Sequence, residues 1–180
     1  RAKELVASEN SRGKTLEELG KWLGSGELPE SVKNLELKSL NDEIESKIIF
    51  SALPSESAKG IERRLAHEGK IVISKSSANR MEKNVPLLIP EVNAEHLKIL
   101  DAQQGGKLIC DPNCTTIITC LTLKPLFDEF KVKKIIVNSM QALSGAGYPG
   151  VSSMAVLGNV IPYIAGEEEK MLHESQKIFG

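Results

Sequence analysis

The sequence has no excess of either charge: Lys and Arg total 23 against 24 Asp and Glu, a formal net charge of −1. That balance argues against a partner held by bulk electrostatics, such as a nucleic-acid backbone or an anionic membrane. It also lacks a long apolar run. Thr, Lys and Pro interrupt even the best stretch, Thr115 to Phe127, so no segment approaches the roughly 18 residues a membrane-spanning helix needs. There are three cysteines, which cannot all pair within one chain, and the opening Arg1-Ala2-Lys3-Glu4-Leu5 has neither the apolar core nor the cleavage site of a signal peptide. The expectation is a soluble protein of a reducing cytoplasm. No internal repeat and no low-complexity tract occurs. What is present, 41% hydrophobic and 26% charged residues over 180 positions, suits one globular domain or slightly more.

Two β-branched runs, Ile48-Ile49-Phe50-Ser51-Ala52 closed by Pro54 and Ile71-Val72-Ile73-Ser74, predict buried strands. Between them Ser55 can cap a helix whose apolar positions Ala58, Ile61 and Leu65 recur at spacings of three and four, with Gly69 as its stop. Lys107 to Cys110 predicts a further strand, Thr115 to Leu123 a helix, Val132 to Met140 another strand, and Glu167 to Phe179 a helix with an acidic first turn. Pro162 marks the boundary before it. The alternation implies a mainly parallel α/β sheet.

Chemistry concentrates in Asp111-Pro112-Asn113-Cys114-Thr115-Thr116, where a strand ends, the chain turns and a cysteine meets the start of a helix. Helix-start N–H groups favour a thiolate, lowering such thiols from about 8.5 into a range of about 3.5–7.5, and the same groups can hold an oxyanion. The competing reading of Cys114 is a small buried apolar side chain. Cys110 and Cys120 fit neither a zinc pair nor a redox dithiol, which leaves them structural roles, and no metal site is expected. A second candidate, Gln141 to Gly150, packs three glycines into six residues and reads as either a plain turn or a loop that lets backbone approach a ligand. It lacks the G-x-G-x-x-G spacing of a dinucleotide fingerprint.

Several separated motifs together resemble one family. They are Phe50-Ser51-Ala52-Leu53-Pro54-Ser55, Ser77-Ala78-Asn79-Arg80-Met81, Val85-Pro86-Leu87-Leu88-Ile89-Pro90-Glu91-Val92-Asn93, Pro112-Asn113-Cys114-Thr115-Thr116, Met140 to Tyr148, Asn159 to Ile164, and Gly166-Glu167-Glu168-Glu169-Lys170-Met171. In this order they resemble the aspartate-semialdehyde dehydrogenases, within them the branch of archaea and fungi. The resemblance implies an α/β fold, with an α+β second domain: a partial Rossmann-like NADP-binding domain over residues 1–112, then part of a glyceraldehyde-3-phosphate-dehydrogenase-like catalytic and dimerisation domain over 113–180.

The implied reaction is reductive dephosphorylation of L-aspartyl 4-phosphate to aspartate semialdehyde with NADPH, through a cysteine thioester, on the route to lysine, methionine, threonine and isoleucine. Cys114 would be the nucleophile, with Gln141 and Asn113 orienting substrate and intermediate through uncharged amides. Arg80 and Lys170 match the positions that hold the substrate phosphate. Glu167, or its neighbour Glu168, matches the acidic residue that meets the substrate amino group. On the cofactor side, Ser8, Ser11 and Arg12 resemble the loop that takes the adenosine ribose and its 2′-phosphate, which favours NADP over NAD. Ser51, Leu53, Pro54 and Ser55, with Ser76, would line the dinucleotide groove, and Ser144 and Gly145 the nicotinamide side. Lys75 departs from the small polar residue expected there.

Against the family's pattern the chain begins at the second strand, without the Gly-rich phosphate loop, and stops before the catalytic histidine and the arginine for the substrate carboxylate. None of His67, His96 and His173 lies in that motif. The expectation is an internal piece of a longer enzyme, inactive alone, whose parent is a homodimer or homotetramer acting on small molecules. The alternatives are a related thioester-forming reductase of malonyl-CoA or N-acetylglutamyl phosphate, and a short non-catalytic interaction or dimerisation module.

Overall fold

The structure, a computed structural model, describes residues 2–20 and 22–180. The first β-branched run forms β3 (Ile48–Ser51), the second β4 (Ile71–Ser74), and Lys107–Cys110 forms β5. All three pair in parallel in the order β3-β4-β5, with Ser51, Ser74 and Cys110 in register at the carboxyl end. Residues 86–88 add a short parallel line beyond β5, where the Cys110 N–H donates to Pro86 at 3.0 Å and the Leu88 N–H to Cys110 at 3.0 Å. A separate parallel pair, β1 (Leu5–Ala7) with β2 (Leu37–Ser39), stands ahead of them. Two short helices, α1 (Leu16–Leu19) and α2 (Glu30–Lys33), occupy the connection between β1 and β2. Thr15 caps α1 with a reciprocal Glu18 bond, the capping-box pattern.

Glu4, just before β1, binds the Lys38 ammonium at 2.5 Å and the N–H groups of Ser46 and Glu45 at 2.7 and 3.2 Å. Burial pushes its carboxyl up, but these donors outweigh burial and bring it down to about 2. One side chain thereby ties the β1–β2 pair to the segment entering β3.

Helix α3 (Ser55–His67) runs between β3 and β4 and buries Ala58, Leu65 and Ala66. It covers the sheet face that carries Ser51, Val72, Ser74, Leu108 and Cys110. The opposite face is partly bare: Ile48 is 56% and Phe50 80% exposed. The expectation that β3 is a buried strand therefore holds for one face only: α3 covers the Ser51 side, whereas the side carrying Ile48, Phe50 and, on central β4, Ile71 stays exposed. The core joins Val72, Leu87, Leu108, Cys110, Leu65, Val85, Ile89 and Val92.

After β5 the chain enters α5 (Cys114–Glu129), which runs past the expected end near Leu123 even though Pro125 lies inside it. Cys120 of α5 and Ile178 of the last helix, α7 (Glu167–Phe179), enter the same core, and Phe127 stacks on Phe179 with centroids 4.1 Å apart. Two further short helices, α4 (Pro90–Asn93) and α6 (Ser153–Val156), lie in the connections.

The strand expected over 132–140 is absent: these residues have no regular structure, and Ile135, Ile136, Val137 and Met140 are exposed by 41–98%. β-Branched side chains favour a pleated surface that something else covers and pairs, and among the described residues this segment has no strand beside it. No helix of the described residues is long and apolar enough to cross a membrane.

Candidate active site

Cys114 is the first residue of α5, after the three-residue turn Asp111-Pro112-Asn113 at the carboxyl end of β5. Asn113 is its N-cap, the side-chain oxygen accepting from the N–H groups of Thr115 at 2.9 Å and Thr116 at 3.2 Å. The Asn113 carbonyl accepts from Ile117 at 2.9 Å. Of the first four helix N–H groups, only that of Cys114 has no acceptor among the described residues. The expectation that a set of free helix-start donors faces an anion is thus narrowed to one, because Asn113 consumes the others. The thiol is exposed, and its one polar neighbour is the Thr115 hydroxyl at 3.9 Å. Cys110 and Cys120 are buried, and desolvation first of all pushes their thiols up to about 12 and about 11, so neither competes as a nucleophile.

Glu167, at the start of α7, gathers the neighbours of Cys114. Its oxygens accept from the amides of Asn113 at 3.2 Å and Gln141 at 2.9 Å and from the Thr115 hydroxyl at 3.0 Å. Burial pushes this carboxyl up, yet the bonds from Gln141, Thr115 and Asn113 and the charge of Lys170 together hold it below the usual carboxylate range. A depressed carboxyl stabilises the fold fully above its unfolded pKa, and that contribution is lost as pH falls through the lower folded value. Carboxyl carbon NMR of Glu167 is therefore expected to titrate below 4.5, the ordinary value, and to move back up in Gln141→Ala. A midpoint unmoved by that substitution would show that Gln141 holds no part of the charge. Glu168 is exposed and outside this cluster, and Lys170 is half-buried on the Glu167 side.

Arg80 is not a free surface cation. Its guanidinium is bonded to Glu174 at 2.9 Å through one terminal nitrogen and to the Lys75 carbonyl at 2.9 Å through the other. The second Glu174 oxygen accepts from the Asn113 N–H at 2.7 Å. Lys177, one turn further along α7, donates to the carbonyls of Arg80, Glu82 and Val85 at 2.5, 2.7 and 2.8 Å. Thr115, Glu174 and Lys177 were not anticipated from the sequence. Glu167, Lys170, Glu174 and Lys177 fall at i, i+3, i+7 and i+10, one face of a helix, a charged stripe that reads as solvent-facing in the sequence and faces inward in the structure.

The other candidates collect at the carboxyl ends of the strands, where ligands of parallel sheets bind. Ser55 bonds Ser77 at 2.8 Å and Ser76 at 3.4 Å, and Leu53 and Pro54 lead into α3 beside them. Ser51 is turned inward instead, its hydroxyl donating to buried Glu62 at 2.6 Å, so it supports the groove rather than lining it. Ser8 and Ser11 are 3.5 Å apart after β1, and Arg12 between β1 and α1 pairs with Asp42 and, at 3.6 Å, with Glu9. Between these two regions lies an open groove of ≈ 580 Å³ lined in part by Ala7, Glu9, Asn41, Glu56 and Ser57. Ser144 and Gly145 lie in an exposed single turn, Leu143–Ala146, shortly after Gln141. Lys75 pairs with Asp111. His67 and His173 are exposed and His96 bonds Asn93 at 3.0 Å, and among the described residues no histidine is bonded to Cys114, whose one polar contact is Thr115.

Residues 1–100 match the family described as semialdehyde dehydrogenase, NAD binding domain, and residues 123–180 the one described as semialdehyde dehydrogenase, dimerisation domain. An aspartate-semialdehyde dehydrogenase of Archaeoglobus fulgidus is 46% identical over 182 residues, covering 98% of this chain and 53% of the relative. The crystal structure of aspartate semialdehyde dehydrogenase with NADP from Candida albicans superposes with a TM-score of 0.86 at 32% identity, over 100% of this chain and 53% of that one. A malonyl-CoA reductase (NADP) of Metallosphaera sedula is 35% identical over 182 residues, 96% of this chain and 50% of the relative. The chain spans about half the length of each of these proteins.

Proposed function

Because the chain belongs to the semialdehyde dehydrogenase family, we propose that the protein containing it converts L-aspartyl 4-phosphate to L-aspartate 4-semialdehyde and phosphate through a thioester on Cys114. The observation that carries this reading is the exposed thiol at the start of α5 beside a free backbone N–H, with its chain neighbours Asn113 and Thr115 joined through Glu167 to Gln141.

The thiolate sulfur bonds to the acyl carbon, the carbon–oxygen bond to phosphate breaks, and phosphate leaves with the electron pair. The Cys114 N–H is placed next to the sulfur to take the oxyanion of the tetrahedral intermediate. Asn113 and Gln141 orient the acyl group, Glu167 accepts the substrate ammonium, and Lys170 with Arg80 neutralises the phosphate. Collapse of the reduced thioester breaks the carbon–sulfur bond, releases the aldehyde and returns the thiolate.

NADPH supplies the hydride when bound. The residues present fit it: exposed Arg12 and the Ser8 and Ser11 hydroxyls suit a 2′-phosphate, and the Ser55, Ser76 and Ser77 hydroxyls stand at the strand ends. Asp42 already pairs with Arg12, so a phosphate there must share that cation. In this reading residues 1–112 carry part of the cofactor domain and 113–180 part of the catalytic and dimerisation domain. The exposed Ile136, Met140, Met154, Leu157 and Val160 fit the interface of a homodimer or homotetramer, in a reducing cytoplasm that keeps Cys114 a thiol.

The test uses the full-length polypeptide that contains this segment. NADP reduction with aspartate semialdehyde is expected to require inorganic phosphate. Activity with malonate semialdehyde and coenzyme A instead would move the assignment to the malonyl-CoA reductase type, a reading favoured only by the relative of that name. Glu167, a carboxylate suited to an ammonium, favours the amino-acyl substrate.

A further inference from the structure

We infer that Glu174 is a positioning residue that sets the guanidinium of Arg80 against the start of the Cys114 helix, so that anion binding and the nucleophile share one anchor. This rests on the reading above only in taking phosphate as the anion.

The argument begins with burial. The Glu174 side chain is 3% exposed and that of Arg80 10%. An ion pair so enclosed loses more hydration than its attraction restores, unless the geometry is good and the remaining lone pairs are used. Both conditions hold. One carboxylate oxygen takes Arg80 at 2.9 Å and the other takes the Asn113 N–H at 2.7 Å. The two partners come from different segments, the loop after β4 and the turn after β5, so the carboxylate cannot rotate without disturbing both.

The guanidinium is pinned at two corners, by Glu174 and by the Lys75 carbonyl. Its third nitrogen, Nε, is buried without a partner, one of only two such side-chain atoms among the described residues. The other, the Thr116 hydroxyl, belongs to the first turn of α5. An orphaned N–H on a cation is costly to leave unmade, and each terminal nitrogen keeps a second N–H beyond its bond to Glu174 or Lys75, so the guanidinium retains donors for an anion. Lys177 fastens the same loop by its backbone carbonyls, which leaves Glu174 as the one side chain that aims Arg80, together with the Lys75 carbonyl.

The experiment follows Cys114 alkylation by iodoacetamide in the full-length polypeptide, with inorganic phosphate as the protecting anion. It is run in wild type, Glu174→Gln, Arg80→Ala and the double variant. Glu174→Gln is expected to raise the half-protecting phosphate concentration by about tenfold, with NADP affinity unchanged and no further rise in the Arg80→Ala background, as for two groups acting as one unit. Glu174→Asp, which keeps the charge and shortens the reach, gives the same readout should the glutamine variant fold poorly.

An unchanged half-protecting concentration in both variants, an equal rise with Arg80 absent, or a parallel loss of NADP affinity would each overturn the inference. An active wild type whose Cys114 phosphate does not protect also overturns it, while the proposed reaction stands. Phosphate protection that shifts in Glu174→Gln, in a protein inactive on aspartate semialdehyde, leaves the inference intact and removes the reaction.

Discussion

Replacing Cys114 with serine in the full-length polypeptide is expected to cut aspartate-semialdehyde-dependent NADP reduction by at least about a thousandfold, or ~4 kcal/mol of barrier, with the thermal midpoint essentially unmoved. A hydroxyl is far less ionised than a thiol, so the attacking species is nearly lost. The fold has little stake in the sulfur. Cys114 is exposed, and its one polar contact is a weak one to the Thr115 hydroxyl at 3.9 Å. Substitutions of that kind usually stay within about 0.5 kcal/mol of wild-type stability. Cys110 and Cys120 provide the contrast: both are fully buried with thiols pushed up to about 12 and about 11, so native alkylation should label Cys114 first. A serine variant that is folded and keeps a tenth of the activity would end the thioester reading.

The largest stability effect is expected at Glu62 rather than in the apolar core. This side chain on α3 is fully buried. One oxygen accepts from the hydroxyls of Ser51 at 2.6 Å and Ser74 at 2.7 Å, and the other from the Asn79 amide at 2.9 Å. Glu62→Ala strands three buried donors and leaves a cavity. At roughly 1–3 kcal/mol for each buried group left unsatisfied, reduced by partial relaxation, the loss should reach about 3–5 kcal/mol in denaturant unfolding. Glu62→Gln keeps one acceptor, and the serine hydroxyls can turn, so it should cost about half as much. A loss below about 1 kcal/mol in the alanine variant would mean that the three donors find other partners. Asn79 adjoins Arg80, so the same substitution should also disturb the loop that delivers the guanidinium.

Glu62 also shows where a linear sequence stops being informative. The run of β3, α3 and β4 was legible because its periodicities change cleanly from two to three-and-four and back, with Pro54 and Gly69 as punctuation. The segment from Asp111 to Thr116 was legible because a cap residue and a cysteine meet at a strand-to-helix turn. Glu62, Glu174 and Lys177 were not, because a charged residue on a helix reads as solvent-facing until its partners are known. The partners of Glu174 lie 94 and 61 residues away. The strand expected over 132–140 failed for the reverse reason. Its β-branched residues have the right preference, but a strand also needs a neighbour to pair with, and spacing carries no record of one. Among the cofactor residues, Ser51 has the right place in the chain and the wrong direction in space.

The charged face of α7 has a consequence for the order in which the molecule is made. The loop carrying Arg80 and the turn carrying Cys114 are joined through a helix that emerges from synthesis long after both. Closing contacts across that much chain costs loop entropy before it returns any binding, and such distant pairings form late. The strand–helix–strand core can collapse on its own local contacts while the nucleophile remains without its cation. The join between the Arg80 loop and the Cys114 turn therefore arrives in one step, with the docking of α7, and a chain that has not yet docked it holds an exposed thiol beside an unanchored cation.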